Sequence, residues 1–192
     1  MGGVVDGVSL QAFAHGRLHS TGLVDAAFAA AAASGIHAWA DLDSAYEVRT
    51  VSPRLRATSR SLGRQLLRSG QRVWPSPVLD LLRAASPSEG PHHPLALGAV
   101  AHAAQLDEVD AATCALHHLA STIATSALRL LGLDPFDVYA RLAALAPAID
   151  EIAANAVSFA RRPLGELPAT SAPVVEILAE DHATWEVRLF AS

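Results

Sequence analysis

The 192 residues suit one domain with a substantial core, and a hydrophobic fraction of 51% with only 5% aromatic leaves alanine and leucine to supply the apolar surface, which favours helices over strands. A net charge of -5 argues against a surface built to neutralise phosphates, so nucleic acid is not the expected partner. All 14 basic residues are arginine, which excludes a P-loop lysine and a Schiff-base lysine.

In chain order, residues 1 to 8 are glycine-rich, without helical period, and read as a flexible start. Ser9 is placed to cap a helix presenting Leu10, Phe13 and Leu18, and a second apolar stretch runs from Leu23 through Ala33 to a stop at Ser34-Gly35. A short acidic helix is predicted around Asp41 to Thr50. Ser52-Pro53 then opens a helix predicted to end at Ser69, before Gly70. Trp74-Pro75-Ser76-Pro77 is a turn leading into a short helix to about Ala85, and Ser86 to Pro94 reads as a loop. Leu95 to Ala104 forms a small-residue helix. From Asp107 to Leu131, Leu116, Leu119, Ile123, Ala127 and Leu130 recur at helical spacing, with Asp107 and Asp110 as start signal and Gly132 as stop. Between Leu116 and Leu131 only Arg129 carries a fixed charge, which predicts the central, nearly surrounded helix. Asp134-Pro135 starts another helix, Pro147 kinks it or starts the next, and a last one runs from about Val174 to His182. The sum is an all-α, single-domain bundle over residues 1–192, of about eight or nine helices.

Candidate chemistry is thin. Cys114 alone allows no internal disulfide or cysteine-based zinc site, and it reads as a small core residue. His15 and His19 share a helix face but lack a nameable third ligand, so no metal site is assigned. His117 and His118 point in different directions, one of them inward. His92 and His93 read as exposed loop residues, and Gly90-Pro91 breaks the Glu89-x-x-His92 string. No nucleophile elbow, zinc-protease helix or dinucleotide loop occurs, so no enzyme and no cofactor is expected. No secretory or membrane-spanning segment is evident, which makes a cytoplasmic protein the expectation.

Two stretches stand out. Arg56, Arg60, Arg64 and Arg68 recur every four residues, and such like charges repel unless something acidic faces them. Asp41, Asp43 and Glu47 of the preceding helix would serve; so would the surface of another protein. Gly63 within this helix implies close approach by another element. The C-terminus carries Trp185, Val187, Leu189 and Phe190 almost to its end, where chains are normally polar, and must bury them on its own domain or on a partner.

At these residues the sequence resembles the UreF urease accessory proteins, in their actinobacterial branch. The matching strings are Ser59-Arg60-Ser61-Leu62-Gly63-Arg64-Gln65-Leu66-Leu67, His92-His93-Pro94-Leu95-Ala96-Leu97-Gly98, Ala127-Leu128-Arg129-Leu130-Leu131-Gly132-Leu133-Asp134-Pro135 and the ending Arg188-Leu189-Phe190-Ala191-Ser192. The resemblance implies an all-α, non-catalytic maturation chaperone that forms a homodimer, binds UreD (also called UreH) and recruits the GTPase UreG, so that nickel is inserted into the urease apoprotein as GTP is hydrolysed. It implies that Arg188, Leu189, Phe190 and Ser192 in the tail at 185–192 meet UreD, and that Arg60, Gly63 and Arg64 serve structure or an interface. Family members usually begin with a further helix and a glycine-rich stretch, whereas this sequence starts near Gly2-Gly3-Val4-Val5, which predicts uncovered apolar surface around Phe13 and Phe28. A helical small-ligand-binding or regulatory domain is the alternative on composition alone.

Overall fold

The computed structural model describes residues 4–183. Ten α-helices run Gly7–Arg17 (α1), Leu23–Ser34 (α2), Trp39–Glu47 (α3), Pro53–Val73 (α4), Pro77–Ala85 (α5), His93–Ala103 (α6), Glu108–Leu131 (α7), Pro135–Ala143 (α8), Ala146–Val157 (α9) and Pro173–Ala183 (α10). No strand occurs among the described residues, so the all-α expectation is met. A π-helical segment, Leu18–Gly22, joins α1 to α2 without a break, leaving nine separate α-helical stretches among the described residues.

Local signals explain most boundaries. Asp107 accepts the Asp110 N–H and the Asp110 carboxylate accepts the Asp107 N–H, a reciprocal cap that starts α7 as predicted. Gly132 (φ 62°) and Gly35 (φ 68°) end α7 and α2 in the left-handed region. Pro147 starts α9 and does not kink α8. At the N-terminus the cap is Asp6, with Ser9 answering from the third helical position, so helix begins inside the stretch expected to be flexible. Gly70 does not stop α4. It is a contact point: a Cβ there would stand 2.5 Å from Cγ2 of Val100 on α6.

The nearly surrounded helix is α2, not α7. Every residue from Ala26 to Ala33 is buried, and α6, α7 and α9 pack around it. Alanine at so many positions lets backbones approach closely, and Gly98 of α6 takes this furthest, since a Cβ there would fall 2.2 Å from the Ala29 carbonyl oxygen. Helix α7 is buried along Ala111, Ala112, Ala115, Leu116 and Ala120, but its last turns expose Leu130 and Leu131. Phe28 is fully buried against Tyr46, ring centroids 5.2 Å apart, contrary to expectation, whereas Phe13 is 41% exposed.

Candidate partner interface and interior sites

The row of arginines on α4 resolves into two halves. Arg60 donates from Nη1 and Nη2 to the two oxygens of Asp43 at 3.1 and 2.8 Å, to Glu47 at 2.5 Å and to the Gly90 carbonyl at 2.9 Å. Arg56 pairs with the other Glu47 oxygen at 2.9 Å. Acidic pairing from α3 is thus what faces these two, through Asp43 and Glu47; Asp41 lies exposed. Arg64 is exposed and donates to the Glu89 carbonyl at 3.2 Å, and Arg68 is exposed as well.

His92 closes the network from the other side. It is fully buried, not an exposed loop residue, because Gly63 admits its backbone: a Cβ at Gly63 would stand 2.1 Å from the Pro91 carbonyl oxygen. Its Nε2 lies 2.7 Å from Glu47 and its Nδ1 3.2 Å from the Ser59 hydroxyl, which accepts the His93 N–H. Burial holds the His92 ring below its ordinary pKa despite Glu47, so at neutral pH Nε2–H donates to Glu47 and Nδ1 accepts from Ser59. Burial raises the Glu47 carboxyl, but the His92 and Arg60 hydrogen bonds outweigh it and keep that group ionised. Asp43, Glu47 and His92 are close enough to share a metal ion. The Arg60 guanidinium already bridges the two carboxylates, so the donor set is filled by a side-chain cation and does not fit a metal.

A second interior feature is a half-open chamber of about 240 Å³ between α2, α3, α4, α6 and α7. Asp25, Tyr46, Arg17, Thr21, His93 and His118 are among the side chains lining it. The Tyr46 hydroxyl donates to Asp25 at 2.7 Å. Burial, opposed by that hydrogen bond and by Arg17, pushes the Asp25 carboxyl up to about 6, and burial with the Asp25 charge drives Tyr46 well above its ordinary value. Arg17 Nη1 and the Thr21 hydroxyl are buried here without a hydrogen-bond partner among the described residues. Sequence periodicity missed this site; the one signal was Asp25, an ionisable residue in an otherwise apolar helix.

Arg17, Leu119 and Thr122 separate this chamber from a more open cavity beside it. A groove of about 440 Å³ runs between α1, α7 and α10, lined by Val4, Leu10, Phe13, Ile123, Leu130 and Val175 among others. Beside it α10 exposes Val174, Ile177 and Leu178, and α8 presents Phe136 at 86% and Tyr139 at 58% exposure. Helix α10 is nevertheless anchored: Glu180 accepts hydrogen bonds from the Ser52 hydroxyl and, at 3.1 Å, from the Arg54 N–H, so its charge sits at the N-terminus of α4. Arg188, Leu189, Phe190 and Ser192 lie outside the described residues. Cys114 is exposed, not in the core, because it falls on the solvent side of α7 with Asp110 and His118. His117 is exposed and meets Ser121 at 3.3 Å, while His118 turns toward His93.

A helical bundle with a charge network locked by its own arginines, and with large apolar side chains exposed along α8 and α10, has the features of a protein that works through contacts with other proteins. The sequence profile described as UreF matches residues 4–146. The chain is 38% identical over 185 residues to the urease accessory protein UreF of Mycobacterium sp. (strain JLS), covering 96% of this chain and 82% of that one. It is 38% identical over 192 residues to the UreF of Mycolicibacterium vanbaalenii, 98% and 84% covered, and 32% identical over 191 residues to that of Mycobacterium tuberculosis (strain CDC 1551 / Oshkosh), 99% and 85% covered. The chain belongs to the UreF family of urease accessory proteins.

Proposed function

We propose that this chain is a non-catalytic adaptor of urease maturation that joins UreD (UreH) to the GTPase UreG, so that nickel enters the urease apoprotein as GTP is hydrolysed. The observation that carries the reading is the open apolar face, where α10 exposes Val174, Ile177 and Leu178 directly before a tail bearing Trp185, Val187, Leu189 and Phe190. Exposed apolar side chains gathered on one face of a folded chain are a contact surface for another protein. In this reading Arg188, Leu189, Phe190 and Ser192 meet UreD, Phe136 and Tyr139 supply apolar area for a homodimer, and the exposed Arg64 and Arg68 offer charge to a further partner. Arg60 and Gly63 act from inside, by fixing α4 against α3 and the Pro91-His92 turn. The complex works in the cytoplasm; no helix among the described residues is long and apolar enough to cross a membrane.

The test is co-expression with the UreD of the same genome, followed by size-exclusion chromatography with light scattering, with and without Val187 to Ser192. A complex that requires the tail is the expected outcome. Failure of both versions to bind, with helicity intact by circular dichroism, would overturn the adaptor reading.

A further inference from the structure

We propose that the interior chamber binds a small organic carboxylate, held at Arg17 and Thr21. Arg17 reaches the chamber from the end of α1, and Thr21 from the π-helical segment that continues it. Among the described residues, Nη1 of Arg17 and the Thr21 hydroxyl are buried without a hydrogen-bond partner, and no carboxylate lies within ion-pair distance of Arg17. Buried charges are ordinarily paired and a buried donor left unbonded is costly, so these two groups lack an acceptor. A carboxylate supplies one oxygen to the guanidinium and the other to the hydroxyl.

The chamber also has the room and the walls for such a molecule. Benzene fits an apolar cavity of roughly 150 Å³, and this one is larger, at about 240 Å³. Leu55 of α4 and Leu119 of α7 line it, so the apolar remainder of an acid has a surface to cover, which an inorganic oxyanion would leave bare. Asp25 opposes an anion and thereby tunes the site. Its carboxylate accepts from the Tyr46 hydroxyl at 2.7 Å. The other charged or titratable groups in the chamber wall are Arg17 from α1, Arg49 after α3, His93 from α6, His118 from α7 and Glu176 from α10, and α4 contributes none. Arg49 is engaged by the carbonyls of Ala45, Leu164 and Leu167. Burial lowers both imidazoles, His93 to about 4, and raises Tyr46, so these three are neutral at pH 7. Asp25, pushed up to about 6, is the group that a second carboxylate drives toward its protonated form, so binding takes up a proton there.

Isothermal titration of the full chain with sodium benzoate is expected to show one saturable site per chain. Benzamide, the same shape without the charge, should bind at least about tenfold more weakly, and Arg17→Gln should weaken benzoate by at least about the same factor, since each removes a hydrogen bond between charged groups. Thr21→Val should weaken it severalfold. From pH 8 to pH 6 binding should tighten at least about fivefold, because the protonated fraction of a group titrating at about 6 rises roughly fiftyfold over that interval. Asp25→Asn should tighten binding at pH 8 and remove that dependence. No saturable benzoate, benzamide bound equally well, equal affinity at pH 6 and pH 8, or binding unmoved by Arg17→Gln and Thr21→Val would each overturn the proposal. So would inorganic phosphate bound at Arg17 in preference to benzoate, which assigns the chamber to an inorganic oxyanion. Circular dichroism and thermal melts check that the variants fold, and Thr21→Val, close in shape to the native residue, carries the test if Arg17→Gln does not.

Discussion

The two sides of the bundle are built by opposite rules. Where α2, α4 and α6 meet, alanine and glycine bring backbones into contact, and beside them Arg56 and Arg60 of α4 are paired with Asp43 and Glu47 of α3. Along α1, α7, α8 and α10, larger apolar side chains stand exposed among the described residues. Close backbone packing leaves no tolerance for added volume, while an exposed apolar side chain contributes little to the stability of the isolated chain. The difference separates residues that hold the fold from residues that wait for a partner, and substitutions on each side should sort accordingly.

The largest effect is expected at Gly98. A valine there must displace the Ala29 carbonyl, which belongs to backbone, so Gly98→Val should cost about 3 kcal/mol or more in urea unfolding. A cost under about 1 kcal/mol would show that the α2 and α6 interface yields. Arg60→Ala comes next. It leaves Asp43 and Glu47 facing each other with only Arg56 and a neutral His92 to offset them. The Arg60 and Asp43 side chains are mostly buried whereas Glu47 is 38% exposed, so a loss of about 2–3 kcal/mol is expected. Arg60→Lys should recover only part of it, because one ammonium cannot span both carboxylates and the Gly90 carbonyl.

Asp25 gives a smaller effect, of the opposite sign. Its folded value of about 6 lies above the ordinary 3.8, so between those values the folded chain holds a proton that the unfolded chain has lost. Stability from this group therefore falls as pH rises from 3.8 to 6 and stays low above that. Asp25→Asn should stabilise the protein at pH 7 by about 1–2 kcal/mol, less than the full shift because Arg17 loses a counter-charge, and the gain should vanish near pH 4. Thermal melts of both proteins across that range measure it. An unchanged difference at all pH values would mean that Asp25 does not titrate in the window.

Much of this division was legible in the sequence, for reasons that differ by residue. Caps and prolines act within a few residues, so Asp107, Gly132, Ser52-Pro53 and Asp134-Pro135 marked their helices correctly. Gly63 announced a close approach because glycine is costly inside a helix unless another element needs the room. Gly70 looked identical in sequence to a stop, since a helix end and a tight crossing both select glycine. The arginine row pointed to Asp43 and Glu47 because α3 is the adjacent element. His92 escaped because its burial depends on Gly63, almost thirty positions earlier, and the His93 with His118 pair depends on how α6 folds onto α7. Local periodicity also favoured α7 as the centre, whereas burial follows from how many neighbours small side chains admit, and α2 with its run of alanines admits more.

The open side gives the smallest effect on folding and the sharpest on assembly. Ile177 and Leu178 are 61% and 52% exposed on α10, so a carboxylate at either position is already in water and the neighbours it leaves lose little. Ile177→Glu and Leu178→Glu should each change stability by no more than about 0.5 kcal/mol. In a complex the same carboxylate would be stripped of water against an apolar partner with no counter-charge, which costs several times that amount. UreD retention on a sizing column should therefore fall steeply while the unfolding midpoint holds. If the midpoint drops instead, α10 is packed by this chain itself and belongs with the closed side; if neither changes, the partner takes only the tail beyond it.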